Sequence, residues 1–189
     1  MWSSKPTKIG RILVRFRTLA KTIPRVSGVL VTDVQTYSYI AGFLDGDGCI
    51  NLQLVRRKDY VLGYQIRASV TFFQRTVHRS FLEWIQSVLG AGFIRERKDG
   101  VAEYSITESR MVLNVLSNLT PYVRLKKMQC NLVMSVLEEM LSSKRLEPAH
   151  FLRLARQVDR FGELNFSKRR SIRSDQVEAY LRSRQLLIP

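Results

Sequence analysis

Tyr39-Ile40-Ala41-Gly42-Phe43-Leu44-Asp45-Gly46-Asp47-Gly48 is the stretch on which the rest of the chain turns. From Thr36 to Asp45 the spacing predicts a helix: Tyr37, Ile40, Ala41 and Leu44 share one stripe, and Gly46 and Gly48 stand where it would stop. Gly42 and Gly46, four apart, strip one face of side chains, so a second helix can approach closely, with Ala41 and Leu44 flanking the contact. The motif occurs once, so that helix comes from a second copy and the pair is two-fold; Ala41, Gly42 and Gly46 are the expected interface. Two readings of Asp45-Gly46-Asp47-Gly48 then stand side by side. One is a helix end with solvated aspartates. The other brings two Asp47 carboxylates to the dyad as hard-oxygen ligands suited to magnesium, while Asp45 points elsewhere and binds nearby backbone donors. A calcium loop is excluded, since it would need an acid or amide at Cys49, a glycine at Ile50 and a glutamate at Arg56.

Beyond Gly48 the period changes to two. Ile50, Leu52 and Leu54 alternate with Asn51, Gln53 and Val55; after Arg56-Arg57-Lys58-Asp59, Ile66, Ala68, Val70 and Phe72 alternate with Gln65, Arg67, Ser69 and Thr71. That is a hairpin with one apolar and one polar face. Phe81, Ile85, Val88 and Leu89 mark a helix closed by Gly90 and Gly92. A second hairpin follows: Phe93 to Arg97, a Lys98-Asp99-Gly100 turn, then Ala102, Tyr104 and Ile106 alternating with Glu103, Ser105 and Thr107. Helices are expected over residues 109–119 and 125–141, then after Pro148 and near Gln176 to Leu181. Antiparallel strands with helices gathered on one face make an α+β domain.

The chain has 31 lysines and arginines against 16 acids, a net charge of +15. Residues 1–38 carry seven basic and one acidic residue, residues 39–141 thirteen and ten, and residues 142–189 eleven and five. The excess therefore lies at the ends, and a polyanionic partner is the physical reason to tolerate it, nucleic acid before an acidic membrane. Two cysteines and two histidines exclude a disulfide framework and a cysteine/histidine zinc cluster. No apolar run reaches the length of a membrane helix. Residues 1–34 form a basic extension in which a transit peptide, a disordered arm and the tail of an upstream reading frame remain alternatives. Residues 35–165 form the main domain and residues 166–189 a basic tail with a short helix.

On the polar face of the sheet or at its strand ends fall Asn51, Gln53, Val55, Arg57, Gln65, Arg67, Ser69, Thr71, Arg95, Arg97, Glu103 and Ser105. Arginine can fork to guanine, and glutamine or asparagine to adenine, in a major groove wide enough for a β-ribbon. A bland solvated face would favour lysine and glutamate, and this one has almost none.

The Tyr39–Gly48 motif resembles that of the LAGLIDADG homing endonucleases, specifically the single-motif homodimeric type of algal organelle group I introns. The resemblance extends through the Ile50–Val55 strand, Thr71-Phe72-Phe73-Gln74-Arg75-Thr76, the Gly92–Ser105 hairpin and the segment from Pro121 to Leu132. It implies an αββαββα fold with a saddle-shaped antiparallel sheet. It implies a sequence-specific endonuclease that makes a double-strand break in a long pseudo-palindromic DNA site, promoting intron mobility in a chloroplast or mitochondrion. Magnesium, with manganese or calcium as substitutes for binding, would sit on Asp47 and the Gly46 carbonyl, with no small-molecule cofactor. Gln74 matches the family residue that orients water, and Lys126 its active-site lysine; His78 stands where the family carries arginine. An intron maturase or a non-cleaving DNA- or RNA-binding protein is the alternative.

Overall fold

The computed structural model describes residues 33–165 and 172–187. The basic extension at residues 1–32 lies outside them, as does most of the linker at 166–171. Helix α1 (Asp33–Asp47) runs directly into strand β1 (Gly48–Arg56), followed by β2 (Tyr64–Arg75) and a single 3-10 turn at Thr76–His78. Then come α2 (Arg79–Leu89), β3 (Phe93–Glu96), β4 (Val101–Ile106), α3 (Ser109–Leu119), α4 (Lys127–Ser142), α5 (Pro148–Glu163) and α6 (Ser174–Ser183). The strands form one antiparallel sheet in the order β1-β2-β4-β3, two hairpins joined along β2 and β4.

The expected alternation sets this architecture. Ile50, Leu52, Leu54, Ile66, Ala68, Val70, Phe72, Ala102, Tyr104 and Ile106 are buried under the helices, and their odd-numbered neighbours on β1 and β2 form the other face. Register fixes the rows across that second face: Gln53 opposes Arg67, Asn51 opposes Ser69, and Cys49–Thr71–Ser105–Phe93 crosses all four strands. Aromatic stacking ties helix to sheet, with the Phe43 ring parallel to Phe72 at 5.9 Å and Phe72 parallel to Tyr104 at 5.8 Å.

Two expectations need correction. Helix α1 does not stop at Asp45; Gly46 is inside it and Gly48 begins β1, and neither has the positive φ of a capping glycine, which Gly90 does adopt at the end of α2. Gly48 is needed for close approach instead, since a Cβ there would lie 2.6 Å from the Leu44 side chain and 2.8 Å from its backbone. Ala41 and Leu44 are wholly buried in the chain's own core, so they cannot flank a contact with a second copy. Among the described residues α6 packs on α5, with Val177 and Leu181 buried. Their spacing of four gives α6 a single apolar stripe.

Candidate functional site

The two aspartates of the motif have different surroundings. Asp45 turns inward, and its carboxylate accepts the backbone N–H groups of Arg124 (2.6 Å), Leu125 (3.1 Å) and Lys126 (3.0 Å) at the head of α4. These are donors that a helix leaves unpaired in its first turn, and a carboxylate also suits the positive end of the helix dipole. Lys126 returns the contact. Its ammonium donates to the carbonyls of Leu44 (2.9 Å) and Asp45 (2.5 Å), two acceptors exposed where α1 ends, and a cation there matches the negative end of that dipole. This reciprocal latch replaces the glycine cap that the sequence suggested. Asp47, two residues on, is exposed and makes no hydrogen bond or ion pair among the described residues.

Beside Asp47 the glycine face is bare. Gly42 and Gly46 are exposed, and a Cβ built on either would meet nothing within 4 Å. Several large apolar side chains are also exposed. Tyr39 packs edge-on against Phe81 and Trp84, and Leu125, tied to Asp45 through its N–H, is 78% exposed, with Met128 at 64% a few residues further along.

The other candidate catalytic residues are less tightly placed. Gln74, next to last in β2, lies on the side of the sheet that Phe72 shares with α1, and its side-chain oxygen accepts the N–H of Arg75 at 2.9 Å. His78 is exposed in the 3-10 turn and caps α2 without a side-chain bond. The contacts thus unite Asp45, Lys126 and the helix end that carries Asp47, whereas neither Gln74 nor His78 bonds to that group. Cys49 escaped the sequence reading. It lies on the polar face one residue after Gly48, where desolvation raises its thiol pKa and the nearby Lys126 charge opposes that rise. The alternation that marked Asn51, Gln53 and Val55 also marks it, together with Phe73 and Phe93.

The sheet's polar face is already cross-linked. The Gln53 amide, assigned with Oε1 toward Arg67, accepts from that guanidinium at 2.7 and 3.2 Å. Thr71 and Ser105 hydroxyls are 3.0 Å apart, and Arg57 donates to Gln65 while forking onto Asp59. Arg97, beyond β3, pairs with Asp99. Arg95 donates through Nε and Nη2 to Glu103 directly across the β3–β4 register. Two expected base contacts change character here. Glu103, with a side chain 12% exposed, accepts from an Arg95 that is 65% exposed, and Ser105 is buried with its hydroxyl bonded to that of Thr71.

A helix ending on an unpartnered carboxylate, beside a sheet whose outer face bears arginine, glutamine, asparagine and threonine, has the parts of one half of a site-specific nuclease. The chain belongs to the LAGLIDADG endonuclease family, whose sequence model matches residues 40–144. It is similar to DNA endonuclease I-CvuI of Chlorella vulgaris, with 37% identity over 150 residues covering 79% of this chain and 92% of that one. DNA endonuclease I-CreI of Chlamydomonas reinhardtii is 36% identical over 145 residues, covering 77% and 88%. The fold matches the crystal structure of I-CvuI with the I-CreI target and magnesium, in which the DNA is not cleaved (TM-score 0.78, 35% identity, 82% of this chain and 98% of that one). A second I-CvuI structure, with its own target and calcium, matches at a TM-score of 0.77 over the same shares.

Proposed function

We propose that this homing endonuclease works as a two-fold dimer on double-stranded DNA, each copy laying its polar sheet face in the major groove and supplying one Asp47 to the centre. The observation that carries the reading is the contrast within one motif. Asp45 is consumed by the latch, whereas Asp47 stands exposed beside a bare glycine face, and Tyr39, Trp84, Leu125 and Met128 are exposed as well. A helix pair across that face brings the Asp47 carboxylates together.

The donor set fits a hard divalent cation. Among the described residues no group of three or more His, Cys, Asp or Glu could hold a metal, so one chain offers Asp47 and the Gly46 carbonyl. Magnesium suits such a site, because it accepts one or two carboxylates and takes its remaining ligands from water and phosphate oxygens. When bound, it supplies Lewis-acid stabilisation of the scissile phosphate and a more acidic water. The chain's own residues do the rest. Lys126 holds the α1 end at fixed height and places positive charge where phosphate charge develops. Gln74 and His78 offer hydrogen bonds to the phosphate or its water from the end of β2, and the sheet fixes which phosphate enters. Relatives from two algae support an organelle intron as the host site. No helix among the described residues is long and apolar enough to cross a membrane.

Substituting Asp47→Asn tests the catalytic assignment. In magnesium the variant binds a duplex carrying the joined exons of the host intron and does not cut it. Cutting at the wild-type rate would refute the role of Asp47, and a monomer in sedimentation with DNA bound would refute the dimer.

A further inference from the structure

The far end of the sheet carries a device that the motif does not announce. Eight residue steps separate Gly48 from Arg56, about 26 Å of strand, which is the length of some seven to eight base pairs. The β1–β2 tip therefore serves the outer part of each half-site if the sheet follows the groove. That tip is fastened by the last helix. Tyr180 of α6 sits against Gly63, where a Cβ would lie 2.2 Å from its ring, and Gly63 has φ +70. The Arg56 guanidinium lies over two rings, 4.7 Å from the centroid of Tyr64 and 4.6 Å from that of Tyr180, and donates to the Tyr64 hydroxyl at 2.6 Å. The two rings meet edge to face at 5.6 Å. Within the tip, Gly63 donates to the Tyr60 carbonyl and accepts from the Arg57 N–H, so a ring resting on Gly63 governs the loop that presents Arg57 and Lys58.

We propose that Tyr180 is a positioning residue for DNA specificity: through Gly63 and Arg56 it holds the β1–β2 tip in the shape that discriminates the outermost base pairs of each half-site. The inference rests on the groove-binding sheet of the proposed function. Its physics is specific to an aromatic ring. An aliphatic side chain keeps the cover over Gly63 and loses both the cation–π contact and the edge-to-face pair. Phenylalanine keeps both, because the described contacts use the Tyr180 ring and not its hydroxyl.

The test compares Tyr180→Leu and Tyr180→Phe with the wild-type full chain on a panel of duplexes carrying every single-base change across the target. In Tyr180→Leu, discrimination at the outer positions falls about tenfold, the scale of one such contact. Discrimination at the central positions and the single-turnover cutting rate at saturating enzyme stay within about twofold. Tyr180→Phe retains the wild-type profile. Hydrogen exchange at the Gly63 amide rises in the leucine variant alone. An unchanged outer profile in folded Tyr180→Leu, an equal loss in Tyr180→Phe, or a loss spread evenly along the site would each overturn the proposal. Should Tyr180→Leu fail to fold, Arg56→Gln, which keeps the Tyr180 ring against Gly63, must reproduce the outer-position loss or the proposal fails. Failure of the wild type itself to discriminate bases would instead overturn the groove-binding reading.

Discussion

Replacing each aspartate of the motif separately should pull stability and activity apart. Asp45→Asn keeps shape and size but halves the acceptor set. The carboxylate takes Arg124 and Leu125 N–H on one oxygen and Lys126 N–H on the other, so an amide must turn an NH2 group toward at least one backbone donor. The lost hydrogen bond to a charged acceptor is worth about 1.5–3 kcal/mol, and the lost charge at the α4 dipole adds about 0.3–1 kcal/mol. A net loss of about 2–4 kcal/mol lowers the melting temperature by about 4–16 °C for a chain of this size. Asp47→Asn, at an exposed site without a partner among the described residues, should stay within about 0.5 kcal/mol of wild type. Urea unfolding with tryptophan fluorescence measures both, and plasmid linearisation in magnesium measures cutting. The expected result is an Asp47→Asn protein that is stable and inactive, and an Asp45→Asn protein that is destabilised yet cuts at low temperature. If Asp45→Asn unfolds at the wild-type urea midpoint, the latch is not what joins α1 to α4, and the division of labour within the motif is wrong.

Lys126→Met removes the ammonium from the Leu44 and Asp45 carbonyls, so it should cost about 1–3 kcal/mol in urea unfolding and abolish cleavage together. Retained cleavage would remove Lys126 from the chemistry. Arg67→Ala and Gln53→Ala should relax preference at the same base pair of each half-site, because the Gln53 oxygen holds the guanidinium that makes the contact; a cleavage profile over all four bases would show two separate positions if each side chain reads alone. The Arg153 guanidinium, and less strongly His150, hold the Glu139 carboxyl below its ordinary value of 4.5. A lowered folded pKa stabilises the protein above that ordinary value and ceases to as pH falls through the folded one. Glu139→Gln should therefore be less stable than wild type near neutral pH, by under about 1 kcal/mol for so exposed a pair, and the two should converge as pH falls below the ordinary value through the folded one in thermal melts. A constant gap down to pH 3 would assign the loss to packing.

Much of the fold was legible because the chain keeps hydrophobic period and element type in step. The residue 109–119 helix and both hairpins fall where alternation and turn residues put them, since one buried face fixes strand register. What alternation could not show is how an element ends when its cap comes from far along the chain. The last carbonyls of α1 are satisfied by Lys126, about eighty residues downstream, so local rules read Gly46 and Gly48 as stop signals that the backbone does not use. The same limit applied to α6. Its basic surroundings read as a tail, although Val177, Leu181 and the ring of Tyr180 are spaced to pack against elements whose position only the folded sheet defines.

For the site, residue type and resemblance name positions, and the contacts show how several of those side chains are held. Counting polar side chains on one sheet face treats each as a contact, yet cross-strand distance lets a short acid hold a long base. Glu103 opposes Arg95 in register and accepts from it, so the pair presents a guanidinium whose direction the carboxylate sets. Gln53 likewise accepts from Arg67, and the Thr71 and Ser105 hydroxyls bond each other. The outer face thus holds several of its arginines through neighbouring carboxylates and amides. This explains why residues 39–141, with ten acids against thirteen bases, can still present a donor-rich surface to DNA: several of the acids are spent on holding its arginines in place.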